Sequence, residues 1–289
     1  MTELIKRTLS GTVFVACVVG SILYSPYVFS GLFLLVCVLA VDEFHRLVKS
    51  SGKIRIFSFA GTLVLWALVQ CLALRTENGA QYSAIALAIG LTYLPVIICA
   101  LLDEIWNHSG KPLENWGNFF ISQVMVAAPI ATLNFLYCLD KWLLLALFVL
   151  IWVNDTGAYC VGSLTAKLPK GNHKMAPHVS PKKSWEGLVG GFVFTFLGAL
   201  LLYHFGWFSM IAGENAGLVI ASVFALLVSS FGTMGDLMES LLKRSVGVKD
   251  SGVFLPGHGG VLDRFDSILL ASPIITVYCW LCYFAAPLL

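Results

Sequence analysis

Ionisable side chains of both signs are concentrated in one stretch of this chain, residues 240–266. Lysines, arginines, aspartates and a histidine lie there among glycines, although charged residues make up only 12% of the sequence and hydrophobic residues 58%. Charges are costly in such an apolar chain, so a concentration of them indicates a functional site. Cations and carboxylates on a glycine-rich backbone suit a polyphosphate that is bound together with a divalent metal ion.

Three aspartates near the ends of apolar segments have the spacing of a metal site. Asp263 and Asp266 are three residues apart, so a helix would direct both carboxylates to one side. Asp236 begins a second polar helix end. The residues that share its helical face are Glu239, Ser240 and Lys243. Magnesium takes one or two carboxylates and completes its octahedron with water and phosphate oxygens. The sequence therefore predicts that the three aspartates hold Mg²⁺, with Glu239 as a further ligand or a supporting group.

Each acidic group also has a structural interpretation. In that interpretation, the helix end at Asp236 is a solvated terminus, and its acids form Asp–Lys or Glu–Lys pairs within the helix. The two later aspartates are surface acids balanced by the arginine between them. A third acidic run, Asp42-Glu-Phe-His-Arg46, also ends an apolar segment. Pairing of its acids with Arg46 and His45 is favoured there over a role in the site.

The run Pro256-Gly-His-Gly-Gly260 lies between the two groups of acids. Its glycines permit positive φ and let backbone N–H groups approach a phosphate closely. Most glycine runs are only turns, and the weight of this one comes from its position between Lys249 and Asp263. His258 either binds phosphate, acts as an acid or is a hydrogen-bonded loop residue. Gly259 and His258 are therefore substrate-binding candidates.

A second polar segment, residues 154–186, begins at the end of an apolar helix. Asp155 lies at that end, where an acid is expensive unless it is paired or coordinating. The run Ser180-Pro-Lys-Lys-Ser184 precedes an amphipathic stretch and predicts the start of a helix. Helix N-termini favour anions, and Lys182 and Lys183 would add to that preference. The alternative is that both lysines flank a membrane span and reach towards lipid headgroups.

About nine apolar segments are long enough to cross a hydrocarbon core of about 30 Å. Their approximate bounds are 9–25, 28–47, 56–74, 82–101, 119–138, 141–160, 187–205, 215–234 and 268–286. The sequence therefore predicts an all-α polytopic membrane protein whose two polar segments form the site. The first two segments are joined by a tight turn, so a re-entrant pair is an alternative to two spans. The net charge of +2, without a basic stripe, argues against nucleic acid as a partner.

The distribution of basic residues predicts the orientation. If the nine segments cross the membrane in alternating directions, all of the 18 Lys and Arg residues except Arg75 and Lys141 fall on the same side. Because Lys and Arg are retained on the cytoplasmic face, the N-terminus and both polar segments are predicted to be cytoplasmic and the C-terminus external. Two regions follow: residues 1–138, with about five spans, and residues 139–289, a catalytic region that carries both polar motifs.

The polar segments resemble the signatures of one enzyme family. The first matches Ser240-x-Leu-Lys-Arg-x4-Lys-Asp-x-Gly-x2-Leu-Pro-x-His-Gly-Gly-Val-x-Asp-Arg-Phe-Asp266, with nearly every fixed position in order. The second contains Asp155-Thr-Gly-Ala-Tyr and then His173-Lys-Met-x-Pro-x-Val-Ser-Pro-Lys-Lys-Ser-Trp-Glu-Gly187. Both are similar to the blocks of bacterial phosphatidate cytidylyltransferases, also called CDP-diacylglycerol synthases, and length and hydropathy agree over essentially the whole chain.

The resemblance implies phospholipid biosynthesis: CTP and phosphatidate give CDP-diacylglycerol and pyrophosphate. It further implies an all-helical, often dimeric protein of the bacterial cytoplasmic (inner) membrane, with Mg²⁺ and a potassium ion near the carboxylates. The residues it carries over as catalytic are Asp236, Asp263, Asp266, Lys243 and Arg244. Those it carries over around the nucleotide and phosphates are Lys183, Ser184, Ser240, Lys249, His258 and Arg264, which join the candidates Asp155, Lys182 and Gly259.

The implied chemistry is an in-line attack by a phosphatidate oxygen on the α-phosphorus of CTP, which needs cations and positioning more than a strong base. Two other functions remain open. A CTP-dependent lipid kinase would transfer the γ-phosphoryl group instead. A cation channel or transporter would place carboxylates near the bilayer midplane on discontinuous helices of matching halves, whereas the acids here lie at helix ends beside cations.

Overall fold

A computed structural model describes residues 3–78, 80–107, 110–169, 171–211, 217–252 and 259–285. Within these ranges, the side chains of residues 3–7, 74–78, 80–84 and 107 are not described. Most of the described backbone is helical, as expected of long apolar segments that must satisfy their own polar backbone groups in lipid.

The first half of the chain forms a series of helices. They are α1 (Glu3–Tyr24), α2 (Pro26–Leu47), α3 (Gly52–Asn78), α4 (Ala80–Asn107), α5 (Pro112–Ile121), a π-helical turn (Ser122–Ala127) and α6 (Ala128–Leu139). Only Ser25 separates α1 from α2. Its hydroxyl accepts a hydrogen bond from the amide of Tyr27, and Pro26 supplies a fixed φ at the first helical position. The tight turn predicted here is thus the N-cap of α2.

The second half adds longer helices and a short hairpin. Its elements are α7 (Lys141–Thr165), β1 (Lys174–Ala176), β2 (Ser180–Ser184), α8 (Trp185–His204), α9 (Gly217–Ser245), α10 (Leu262–Phe265) and α11 (Ile268–Ala285). The hairpin is antiparallel, with Lys174 opposite Ser184 and Ala176 opposite Ser180. The predicted helix start at Ser180 is therefore wrong, because residues 180–184 pair with β1 and the helix begins only at Trp185.

The spanning segments agree with the predicted class. Among the described residues, eight helical stretches are long and apolar enough to cross a membrane, and α1 adds a shorter apolar stretch, Thr8–Tyr24. The prediction of an all-α polytopic membrane protein with about nine helices is confirmed. The fifth stretch is longer than predicted, since α5, the π-helical turn and α6 together run from Pro112 to Leu139.

The chain divides into two compact units. The N-terminal unit comprises residues 1–138 and 250–265, and the C-terminal unit comprises residues 139–249 and 266–289. The described residues 250–252 and 259–265 group with the N-terminal helices. Asp263 consequently belongs to the N-terminal unit and Asp266 to the C-terminal unit.

Aromatic side chains anchor α10 within the N-terminal unit. The ring of Phe265 lies 5.5 Å from that of Phe14 on α1 and 5.8 Å from that of Phe33 on α2, both edge-to-face. Such contacts add specific geometry to the burial of apolar area. Helix α10 is therefore held against the same helix, α2, that ends in the acidic run 42–46.

Small and polar residues bring α7, α8 and α9 together in the C-terminal unit. A Cβ atom at Gly191 would lie 2.7 Å from Oδ1 of Asn154, and one at Gly157 would lie 2.7 Å from Cβ of Phe194. The same Asn154 Oδ1 accepts a hydrogen bond from Ser229 Oγ at 2.7 Å. Glycines allow close backbone approach in membranes, and the polar contact joins the middle of α7 to the middle of α9, next to residue 155.

Candidate active site

Two of the predicted metal ligands come together in the C-terminal unit. Asp236 lies on α9 and Asp266 lies two residues before α11, and their carboxylates are close enough to interact electrostatically. Gly235 permits this approach, since a Cβ atom there would lie 2.6 Å from the carbonyl oxygen of Asp266. Glu239 and Asp155 are further acids in electrostatic contact with Asp266. Four carboxylates, from α7, α9 and the turn before α11, therefore share one neighbourhood. Asp155 lies in the middle of α7, so the helix end predicted there is wrong, because α7 continues to Thr165.

A cation and a hydroxyl group hold Asp236. The ammonium of Lys183 lies 2.7 Å from Asp236 Oδ2 and donates to the carbonyl of Thr233 at 3.3 Å. The hydroxyl of Ser240 donates to Asp236 Oδ1 at 3.3 Å. Lys183 is part-buried and directed into the acidic cluster, so it does not extend towards lipid headgroups. A charge-assisted contact of this length favours one orientation of the carboxylate.

The next pair on α9 is buried. Lys243 Nζ lies 2.6 Å from Glu239 Oε2, and the two side chains are 11% and 1% exposed. This is the pair within the helix that the structural interpretation of α9 expected. It engages the Lys243 ammonium with an acid of its own helix, whereas the resemblance assigns that lysine to the substrate phosphates.

Arg244 joins the end of α9 to the hairpin. Its Nε donates to the carbonyl of Val179 at 3.3 Å, and one terminal nitrogen donates to the carbonyl of Val248 at 2.8 Å. Ser184 caps α8, since its hydroxyl accepts from the amide of Gly187 at 3.1 Å. The other basic candidates are exposed, namely Lys182, Lys249 and Arg264.

Asp263 has a different environment, in the N-terminal unit. Its Oδ2 accepts hydrogen bonds from the backbone amides of Ser251 at 3.0 Å and Gly260 at 2.8 Å. Gly259 adopts the left-handed conformation with φ of 80°, and a side chain there would meet the Asp263 carboxylate. His258 lies outside the described residues, and so does Gly257.

Sequence reasoning missed Glu43, at the C-terminal end of α2. Its carboxylate accepts from the amide of Val261 at 2.8 Å and from that of Leu262 at 3.1 Å, and from the hydroxyl of Ser251. The only sequence signal was an acid at the end of an apolar span, where carboxylates are costly. Its hydroxyl partner is 208 residues further along the chain, so no local pattern identifies it.

The rest of the acidic run follows its predicted pairing in part. Asp42 forms the expected ion pair with Arg46 and a second one with Arg55 of α3. His45 Nδ1 lies 2.8 Å from the hydroxyl of Ser50. Asp42 therefore stabilises the α2–α3 connection. Its neighbour Glu43 instead contacts the motif segment, by which we mean the described residues 250–252 and 259–265.

The donor set in the C-terminal unit fits a magnesium ion. Among the described residues, no group of three or more His, Cys, Asp or Glu side chains has the arrangement of a complete protein metal centre. Magnesium does not require one, because it uses one or two carboxylates and keeps water and phosphate oxygens as its other ligands. Asp236 and Asp266 provide two such carboxylates, whose mutual repulsion a divalent cation would relieve.

Comparisons with known proteins identify one family. The model of the cytidylyltransferase family matches residues 5–282. A phosphatidate cytidylyltransferase of Haemophilus influenzae is 33% identical over 290 residues, which cover 94% of this chain and 97% of that protein. Phosphatidate cytidylyltransferases of Staphylococcus saprophyticus and Staphylococcus aureus are each 42% identical over 130 residues, 45% of this chain and 46% of theirs.

Proposed function

This chain belongs to the cytidylyltransferase family, and we propose that it transfers the cytidylyl group of CTP to phosphatidate, giving CDP-diacylglycerol and pyrophosphate. Similarity over nearly the full length to a protein named for that reaction supports the choice of substrates. The structural observation that carries the proposal is the cluster of Lys183, Asp236 and Asp266, where a cation and two carboxylates meet at the ends of apolar helices.

The proposed reaction joins two anions. An oxygen of the phosphatidate phosphate forms a bond to the α-phosphorus of CTP, and the bond from that phosphorus to the β-phosphate oxygen breaks, so pyrophosphate leaves. The attacking oxygen is already an anion at neutral pH, so charge neutralisation and positioning are the main requirements. Lys183 supplies a cation from β2, and Arg244, which contacts the same hairpin, supplies a guanidinium that can bind a phosphate through two nitrogens.

Asp236 and Asp266 are the residues that we propose to hold Mg²⁺, and Asp263 remains a ligand predicted from the sequence. When bound, Mg²⁺ would neutralise phosphate oxygens and offset the charge gained by the leaving group. Lys183 and Ser240 fix the orientation of Asp236. The contact of Glu239 with Lys243 favours a supporting role for that acid. A potassium ion remains a prediction of the family resemblance.

The protein spans a membrane several times. We propose the bacterial inner membrane, with the site and the N-terminus on the cytoplasmic side and the C-terminus outside, because this orientation keeps nearly all Lys and Arg residues in the cytoplasm. CTP is a cytoplasmic metabolite, and phosphatidate would arrive from the leaflet. A homodimer, also implied by the resemblance, is tested by measuring the mass of the detergent-solubilised protein.

Labelled CTP tests the proposed transfer directly. Purified protein in mixed micelles with phosphatidate is given CTP labelled with ³²P at either the α- or the γ-phosphorus. The α-label should enter the lipid fraction and the γ-label should leave as pyrophosphate, and both should depend on Mg²⁺. Transfer of the γ-label to lipid with release of CDP would identify a lipid kinase instead, and the D236N variant shows the background.

A further inference from the structure

We infer that Glu43 is a positioning residue, which fixes the motif segment around Asp263 from the end of α2. The inference rests on the proposed cytidylyl transfer, because Asp263 is one of its predicted catalytic residues. Glu43 belongs to none of the polar motifs that the sequence singled out for the site. All of the contacts that support its role lie within the N-terminal unit.

Glu43 joins both flanks of the motif segment to helix α2. On one flank, the hydroxyl of Ser251 donates to its carboxylate. On the other flank, the amides of Val261 and Leu262 donate at 2.8 and 3.1 Å. Hydrogen bonds to an ionised acceptor are about twice as strong as neutral ones. A single side chain therefore holds Ser251 and the backbone at residues 261–262 against α2.

Asp263 joins the same two backbone stretches from the other side of the motif. It accepts from the amides of Ser251 and Gly260, which lie next to the groups bound by Glu43. The hydroxyl of Ser251 is thus used by one carboxylate and its amide by the other. Because both acids hold the same short backbone segments, displacement of the segment by loss of Glu43 would also reorient the carboxylate of Asp263.

Two glycines leave space for the Glu43 carboxylate. A Cβ atom at Gly252 would lie 2.9 Å from Glu43 Oε2, and one at Gly260 would collide with Glu43 Oε1. Neither position leaves room for a side chain while the carboxylate is in place. Close packing therefore explains why these two motif positions are glycines. They leave room for the carboxylate from α2, which is a requirement separate from phosphate binding.

Helix α2 contacts the motif segment at a second point. Helix α2 carries Phe33 against Phe265 of α10, at a ring distance of 5.8 Å, so the same helix holds the motif segment at two points. The neighbouring Asp42 is fixed by Arg46 and Arg55. Displacements of about 1 Å at a reacting centre reduce rates about a hundredfold. A two-point attachment to one helix is a means of preventing such displacements.

The test replaces Glu43 by Gln, which keeps the shape but removes the charge. E43Q should raise the KM for CTP about tenfold and leave the KM for phosphatidate within about twofold, because Asp263 is a predicted ligand of the Mg²⁺ that would offset charge on the leaving group of CTP. Hydrogen exchange, read by mass spectrometry on peptides covering residues 259–265, should be at least tenfold faster, while exchange in α7–α9 stays unchanged. E114Q is the matched control, since Glu114 pairs with Lys111 on the surface of the same unit.

Ser251→Ala provides a graded second variant that removes one hydroxyl and keeps the amide contact with Asp263. It should show a smaller rise in both quantities than E43Q. Unchanged exchange at residues 259–265 in E43Q, or faster exchange with both kcat and the KM for CTP unchanged, would overturn the inference. The proposed function is judged separately by the wild-type protein: without CDP-diacylglycerol formation there, the function fails, whereas the exchange measurement still decides whether Glu43 fixes the segment.

Discussion

The ammonium of Lys183 lies 2.7 Å from Oδ2 of Asp236, which joins the hairpin before α8 to the polar end of α9. Two neighbouring lysines are thereby distinguished, since Lys182 is exposed and Lys183 is part-buried against an acid. The contact also keeps a cation beside a cluster of carboxylates. An incoming phosphate would meet that cation already in place, which lowers the cost of reorganising the site.

Replacement of Lys183 by Ala should reduce kcat/KM for CTP at least about tenfold, because a positioned charge at the reacting phosphates is lost. K183R should retain more activity than K183A, since it keeps the charge. Steady-state kinetics in mixed micelles measure both variants. The control is K167A, which removes an exposed lysine of the same polar segment. Equal kinetics for K183A and K167A would show that Lys183 is only a basic residue flanking a membrane span.

The acid pair should control the metal dependence. D236N and D266N should each lower kcat about a hundredfold and raise the Mg²⁺ concentration that gives half-maximal rate, because each removes one of two carboxylates. Chelation of divalent ions should abolish wild-type activity, and added Mg²⁺ should restore it. D103N, which alters an ion pair with Lys53 in the other unit, is the control. An unaltered Mg²⁺ dependence in both site variants would remove these residues from the metal site.

Two glycines on α9 should respond in opposite ways to the same substitution. At Gly235, a Cβ atom would lie 2.6 Å from the Asp266 carbonyl oxygen, so G235A should separate α9 from Asp266, lower activity and lower the Tm. At Gly232, one turn earlier, the nearest atom is Ser267 Cβ at 3.8 Å. G232A should be neutral or stabilising by up to about 1 kcal/mol, because Ala favours helix more than Gly. Similar Tm values for the two variants would contradict this packing.

The buried Glu239–Lys243 pair offers a test that separates stability from catalysis. Removal of one partner, as in E239Q or K243M, should cost about 3 kcal/mol, since it leaves a buried charge uncompensated. The double replacement E239L/K243M should recover most of the Tm, because apolar pairs of similar volume are tolerated in such places. Thermal unfolding in detergent measures this.

Activity of the stable double variant then assigns Lys243. A rate that stays low despite a restored Tm would support its predicted contact with substrate phosphates. A rate that recovers with the Tm would limit Lys243 to a structural role and favour the pairing within α9 as its full explanation.

The sequence alone determined the class of protein and the side-chain contacts within α9. Apolar runs of spanning length leave few structures other than helices, because lipid offers no partners for free backbone groups. Local spacing was equally reliable on α9, where Asp236 and Ser240, and Glu239 and Lys243, are in contact four residues apart. The helix start predicted at Ser180 was wrong, since the pairing of β2 with β1 is a contact that helix-start signals do not report.

Only the tertiary structure decided which acids meet which partners. Glu43 binds amides more than 200 residues away, and the carboxylates of Asp236 and Asp266 converge because Gly235 lets α9 approach the turn before α11. Asp263 and Asp266 look alike in sequence, yet one caps backbone amides in the N-terminal unit and the other joins the acidic cluster of the C-terminal unit. Periodicity fixes the helical face on which a side chain lies. The partner opposite that face depends on the packing of distant segments, which a local pattern does not encode.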